Sequence, residues 1–317
     1  MKIIPFESNY LDQAAELFVN ALEQQRLVTP LIPGRMAQPE KVREILARLF
    51  THCPGVAAVE DGKLLGYLGW FEIEEFRDTD RKAALSPEWA HATVSQNKPA
   101  IIRALYRSAG SQWAADGCNV HAIGLMADDK ESLETLFWSG FGLMVVDAIR
   151  PLQPIGAVCA PGYTLRKAGV ADIAGLVEIE KEHWQHYTKS PIFMTAQEPD
   201  SAEAFAEFLA NPVNGAWIAL SGDEVVSYVR FEASSFGAAQ ILNASDTIAI
   251  TGAYTKPAHR GGRLMPALVD LALQEYAGRN FGRCVVDFES INPEAAVFWM
   301  RYFKPVCYSV MRVPESV

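Results

Sequence analysis

One succession of elements occurs twice in this chain, and few architectures can accommodate that. Lys2 to Phe6 is a short apolar strand, and the helix after it carries Leu11, Ala14, Ala15, Phe18, Val19 and Leu22 on one face. Pro39 to Phe50 predicts a second helix. A hairpin follows, Val56–Val59 and Leu64–Leu68 about an Asp61-Gly62 turn, the dipeptide that best suits the backbone of a tight hairpin. The order then repeats: a strand at Tyr163–Arg166, a helix with Asp172 placed to cap it and Ile173, Leu176, Val177 and Ile179 on one face, a helix at Ser201–Leu209, and a hairpin of Ala216–Leu220 and Val225–Val229. Tyr67 and Tyr228 fall at equivalent places. A repeat offset of about 160 residues is an internal duplication. Pro151, Pro154, Gly156, Pro161 and Gly162 mark the joint, giving domains at 1–150 and 163–317 with a linker at 151–162. Strands alternating with helices assign both halves to the mixed α/β classes.

Composition narrows the function. The 317 residues carry a formal net charge of -10. An acidic chain without a basic stripe argues against nucleic acid as the main partner. No stretch reaches the ~18 apolar residues of a membrane span, and the first residues lack a signal-peptide core. The five cysteines are odd in number and form no Cys-x-x-Cys, so neither a disulfide framework nor a zinc ribbon is expected, and no metal site is. A cytoplasmic protein with reduced thiols is the expectation. His183 and His186, one helical turn apart, lack further metal ligands and read as a surface helix.

The segment Thr247–Met265 holds the chemistry of the second half. A β-branched strand meets Pro257, which cannot extend a sheet ladder. Gly261 and Gly262 make a tight turn flanked by Arg260 and Arg263, and a helix begins near Leu264. Free amides and a positive dipole end at a helix start suit a phosphate, and two arginines add permanent charge. Downstream, a strand at Arg283–Phe288 leads to Asn292-Pro293, a helix start, and Val306–Arg312 reads as a closing strand.

This segment resembles the acyl-CoA-binding core of the GNAT superfamily of N-acetyltransferases, a strand ending in a short turn before Arg/Gln-x-x-Gly-x-Gly/Ala. Aligned on Arg260, the two small residues of that motif fall on Arg263 and Met265. A second stretch resembles the family's Asn-x-x-Ala-x-x-Leu-Tyr-x-x-x-Gly-Phe, with Asn292, Ala295, Phe298 and Phe303 at matching spacing. The first half has a weaker copy ending at Gly140-Phe141. The chain thus looks like a tandem GNAT protein, and the resemblance implies two mostly antiparallel twisted sheets flanked by helices, with a splay between the fourth and fifth strands that takes the coenzyme.

Residue by residue, the resemblance implies that acetyl-CoA is the cosubstrate of the second domain. The backbone of Ala253, Tyr254 and Thr255 would pair with pantetheine. The amides of Gly261, Gly262, Arg263, Leu264 and Met265 would face the pyrophosphate, with Arg260 and Arg263 nearby. Asn292 would reach the pantetheine arm or cap its helix. The first half has Ser95-Gln96-Asn97-Lys98-Pro99 at the corresponding turn, without glycine, and no tight pyrophosphate site is expected there. The implied activity is acetyl transfer to a small-molecule or peptide amine in a ternary complex, by a monomer or homodimer. The other reading is a non-catalytic acyl-CoA-binding or interaction module. For the amine's proton the candidates are Glu289 and, on the same strand face, Asp287, each of which could instead pair with an arginine. The family's tyrosine falls on Trp299 and, in the first half, on Phe137, so Tyr308, Tyr302 or water is left to protonate the thiolate.

Overall fold

The computed structural model describes residues 1–233 and 238–315. The chain divides into two compact units: Met1–Asp147 with Ala239–Leu242 and the stretch from Pro305 onward, and Ala148–Ala238 with Asn243–Lys304.

The first unit opens with β1 (Lys2–Pro5), α1 (Leu11–Val28), α2 (Pro39–His52), β2 (Gly55–Glu60) and β3 (Lys63–Gly69). Asp61 and Gly62 both take positive φ at the β2–β3 turn, the conformation the Asp-Gly pair permits. Two short strands follow, β4 (Phe71–Ile73) and β5 (Ala83–Ser86). Next come β6 (His91–Thr93), α3 (Lys98–Ala115), β7 (Val120–Met126), α4 (Lys130–Phe137) and β8 (Gly142–Pro151). Strands β1, β2, β3 and β6 form one antiparallel sheet. Strand β5 pairs antiparallel with β4 and parallel with β7. Trp70, Trp113, Leu105 and Phe141 centre the core of this unit.

The second unit continues with β9 (Thr164–Lys167), α5 (Ile173–Tyr187), α6 (Ala202–Ala210), β10 (Gly215–Ser221), β11 (Glu224–Glu232), β12 (Thr247–Thr255), α7 (Leu264–Ala277), β13 (Arg283–Glu289) and α8 (Pro293–Tyr302). Strands β9, β10, β11 and β12 are antiparallel neighbours, and β13 lies parallel to β12. Helices α5 and α6 bury Leu176, Ile179 and Phe205 with Ile218 and Tyr228 of the sheet. The duplication extends to detail: each hairpin has a register shift, opposite Ala58/Val59 and opposite Ala219/Leu220, with the extra residue, Leu65 or Val226, on its second strand.

Three differences from the sequence reading bear on function. The closing strand, β14 (Lys304–Arg312), pairs antiparallel with β7, Cys307 opposite Met126 through Arg312 opposite His121, so it completes the first unit's sheet and carries Tyr308 there. Strand pairing across distant sequence leaves no local trace in residue periodicity, which is why the order of elements assigned it to the second half. Asp172 occupies the N-cap position of α5, but its carboxylate accepts from Gly169 N–H and from both terminal nitrogens of Arg166 instead of capping. The stretch read as a linker is fastened to the second unit: Asp270 accepts the amides of Ile155 and Ala157, and Ala160 N–H donates to the Gly262 carbonyl at 2.9 Å.

Candidate active site in the second unit

Strands β12 and β13 pair only from Thr247/Arg283 to Ile250/Val286. Beyond that point β12 continues to Thr255 against β11 alone, and one extra residue, Thr251, sits between Ile250 and Gly252 where the β11 register shifts. A bulge of this kind bends and twists its strand, which helps the two strands part. Lys256 N–H donates to the Val226 carbonyl, and Ser227 Oγ donates to the Tyr254 carbonyl. Alternation along the strand therefore turns the amide and carbonyl of Ala253 and Thr255 away from β11, into the gap.

Below the gap lies the start of α7. Gly261 has φ of +82°, and a Cβ placed there would meet no atom within 4 Å, so the turn is open on that side. Arg263, at the N-cap, has φ of 57°. An L-residue in this left-handed region costs roughly 1–2 kcal/mol, so the turn keeps its shape at the position where the family motif has a small residue. No side chain caps the helix. Its first amides remain available, up to Pro266, which has none.

A cleft of ≈ 410 Å³ runs from this turn along β12 to α5 and α8. Its walls combine Leu264, Pro266, Ala295, Phe298 and Trp299 with a few polar groups, the mixture typical of small-molecule sites. Of the residues singled out in the sequence, Ala253, Tyr254, Thr255, Arg260, Gly261, Arg263, Leu264, Met265 and Asn292 line it, as does Tyr302. Gly262, Asp287 and Glu289 are not in the lining among the described residues, and Tyr308 belongs to the first unit. Glu289 ends β13, and its carbonyl accepts Asn292 N–H at 3.1 Å. Asn292 itself is a true N-cap, accepting Ala295 N–H. Arg260 bridges the mouth: Nε donates to the Thr255 carbonyl at 3.0 Å, the guanidinium pairs with Glu294, and it stands over the Tyr254 ring.

The sequence reading missed two residues. His183 and His186 face the cleft, because α5 packs its His face onto β11 and β12. His183 is only 7% exposed; Nδ1 lies 2.9 Å from Tyr228 Oη, and its ring stacks on Tyr254. Burial pushes its pKa down to about 3, with the charges of His186 and Arg230 adding to the effect. Burial also lowers His186, while the Glu294 carboxylate 3.7 Å away and a hydrogen bond with Asn292 act in the opposite direction. Beside them Arg230 pairs with Glu180, Asp200 and Glu232. The available signal was the i, i+3 spacing of the two histidines, which a surface helix shares.

In the first unit the turn before α3 also places a left-handed residue at the N-cap, Asn97 with φ of 54°. Asparagine tolerates this region, so the missing glycine does not abolish the turn. Lys98 there pairs with Asp129 at 3.0 Å, beside a cavity of ≈ 700 Å³.

The parted strands, bulge and uncapped helix define a GNAT fold, and the comparisons agree. Residues 176–303 match the model of the acetyltransferase (GNAT) family. No curated protein sequence matches the chain. Among solved structures, a GCN5-related N-acetyltransferase from Sphaerobacter thermophilus superposes with a TM-score of 0.58 at 12% identity, covering 99% of this chain and 97% of that one. A tandem GNAT protein from the clavulanic acid biosynthesis pathway gives 0.51 at 14% identity over 100% and 99%. The glucosamine N-acetyltransferase region of a fungal multi-domain β-N-acetylglucosaminidase gives 0.54 at 12% identity, covering 98% of this chain and 38% of that one. Segment 176–303 thus matches the GNAT acetyltransferase family, and the chain as a whole shares the fold of GNAT proteins, a tandem one among them.

Proposed function

We propose that the second unit is an acetyl-CoA-dependent N-acetyltransferase, passing the acetyl group directly to an amine in a ternary complex. The observation that carries this reading is the parting of β12 from β13 above an uncapped helix start bearing Arg260 and Arg263. The residues fit a phosphorylated, amide-bearing cosubstrate. The amides from Gly261 to Met265 and the two guanidinium groups suit a pyrophosphate. The gap-facing groups of Ala253 offer a strand-like partner to the pantetheine amides. The coenzyme supplies an activated acetyl thioester; the protein's part is to hold it, to stabilise charge on the carbonyl oxygen and to manage two protons.

For the amine's proton, Glu289 at the end of β13 is the candidate in this reading, with Asp287 on the same strand face as its substitute. For the thiolate, Tyr302 in the cleft lining takes the place first given to Tyr308. The first unit, with Lys98 already paired to Asp129, has no part in coenzyme binding here.

Calorimetric titration of acetyl-CoA into the full chain and into Arg260→Ala tests the reading. One saturable site, weakened in the variant, is expected, followed by release of free thiol on mixing with a panel of amines. Absence of binding by the native protein would refute it, and binding without transfer to any amine would favour a non-catalytic module.

A further inference from the structure

The family's tyrosine is absent from this cleft, yet a different polar pair has been buried in it. Tyr228 is fully buried, and its hydroxyl hydrogen-bonds His183 Nδ1 at 2.9 Å. A buried hydroxyl must find an acceptor for its proton. If Nδ1 carried the hydrogen, the phenolic O–H would be left without one. Tyr228 therefore donates, Nδ1 accepts, and the imidazole proton resides on Nε2. Nothing in the described structure takes that N–H, and His183 lines the cleft. At the equivalent position of the first unit, Tyr67 instead donates to the Trp89 carbonyl, so the duplicated tyrosine is paired with an imidazole only in the second unit.

The place of the pair in the cleft decides its use. Tyr228 Oη lies 3.4 Å from where a Cβ on Gly252 would sit, so the pair abuts β12 at its bulge. A long coenzyme arm whose phosphate end rests at Gly261–Met265 runs back along β12 toward this point, where the strands converge. From the proposed acetyl-transfer reading, on which this rests, we infer that His183 is a catalytic residue, its neutral Nε2–H donating a hydrogen bond to the carbonyl oxygen of the bound acyl group. In the step, the amine nitrogen bonds to the carbonyl carbon while negative charge gathers on that oxygen. The C–S bond then breaks, the thiolate leaves with the electron pair, and the amine proton goes to the carboxylate base. His183 gives up no proton; it stabilises charge, and Tyr228 is the positioning residue that fixes its tautomer.

Neutrality is built into the surroundings. His186 and Tyr187 on α5, Tyr228 and Arg230 on β11, and Tyr254 on β12 face the ring, and none of them is an anion within contact distance. A neutral imidazole donor does not need to be deprotonated to act, a device known from enolising enzymes.

Two readouts test the inference without a known acceptor. Long-range ¹H–¹⁵N spectra of the six histidines, assigned with His183→Gln, should show His183 as the Nε2–H tautomer at pH 7. An Nδ1–H or imidazolium pattern would overturn the assignment. Isotope-edited infrared spectra of bound [1-¹³C]acetyl-CoA should show a lowered carbonyl stretch that reverts in His183→Phe and is largely restored in His183→Gln, whose amide can donate in its place. The same stretch in native protein and His183→Phe, both saturated with acetyl-CoA, would refute the role of His183 while leaving the transferase reading intact. Failure of the native protein to bind acetyl-CoA would instead bring down that parent reading. With an amine acceptor, His183→Phe should lower kcat by about 10²- to 10³-fold, the usual effect of losing one such donor, with KM for acetyl-CoA little changed.

Discussion

A buried neutral histidine makes the second unit acid-sensitive, and His183→Gln should remove much of that sensitivity. An imidazole with a folded pKa of about 3 and an unfolded pKa near 6.5 is protonated first in the unfolded chain. Acid therefore favours unfolding, beginning below pH 6.5 and continuing until the folded form titrates near 3. Between pH 7 and pH 5 the difference spans about 1.5 pH units, and at 1.36 kcal/mol per unit the native protein should lose about 2 kcal/mol through this residue. Glu180, whose pKa burial raises, acts in the opposite sense but is common to both proteins. Glutamine can still accept the Tyr228 hydroxyl, so the comparison removes titration more than packing. A two-unit chain is poorly served by a single midpoint, so the assay is hydrogen exchange by mass spectrometry on α5 and β11 peptides at several urea concentrations. The local opening free energy should fall by about 2 kcal/mol more in the native protein than in the variant. An equal fall in the two proteins would mean that His183 is not held neutral, and the reasoning would fail.

Two further outcomes concern the phosphate turn and its mouth. Gly261→Ala should cost about 1 kcal/mol and weaken acetyl-CoA binding, because the position has positive φ. Gly262→Ala, with its nearest contacts at 3.6–3.8 Å and no positive φ, should change melting temperature and affinity little; equal effects of the two substitutions would contradict the assignment. Glu294→Gln should tighten acetyl-CoA binding severalfold and steepen its salt dependence, because Arg260 is then free for phosphate. An unchanged Kd in a salt series would show that Arg260 does not exchange partners.

The fold was legible where a residue's role is local. Asp61 and Gly62 adopt the turn their identities require, Asn292 caps α8, and the strand, turn and helix from Thr247 to Ala277 fall where their pattern put them. The turn that lines the cleft was legible for the same reason, since a glycine turn before an amphipathic helix is written in consecutive residues. What escaped depends on tertiary pairing. The short strand β5 gains its definition from β7 and β4 from β5, the pairing of β14 with β7 has no signature in either strand, and His183 is a core residue only because β11 and β12 lie beneath it. Arg263 was misleading in another way: the left-handed position is kept by an arginine where the motif would announce it with a small residue.

The pairing of β14 with β7 also sets an order of events during synthesis. Strands β4, β5 and β7 have left the ribosome long before Pro305 appears, so β7 waits with one edge unfilled while the second unit is being made. An open apolar edge recruits other strands. A nascent chain stalled or truncated after α8 would carry a finished second unit and an unfinished first one, and chaperone dependence should concentrate in that interval.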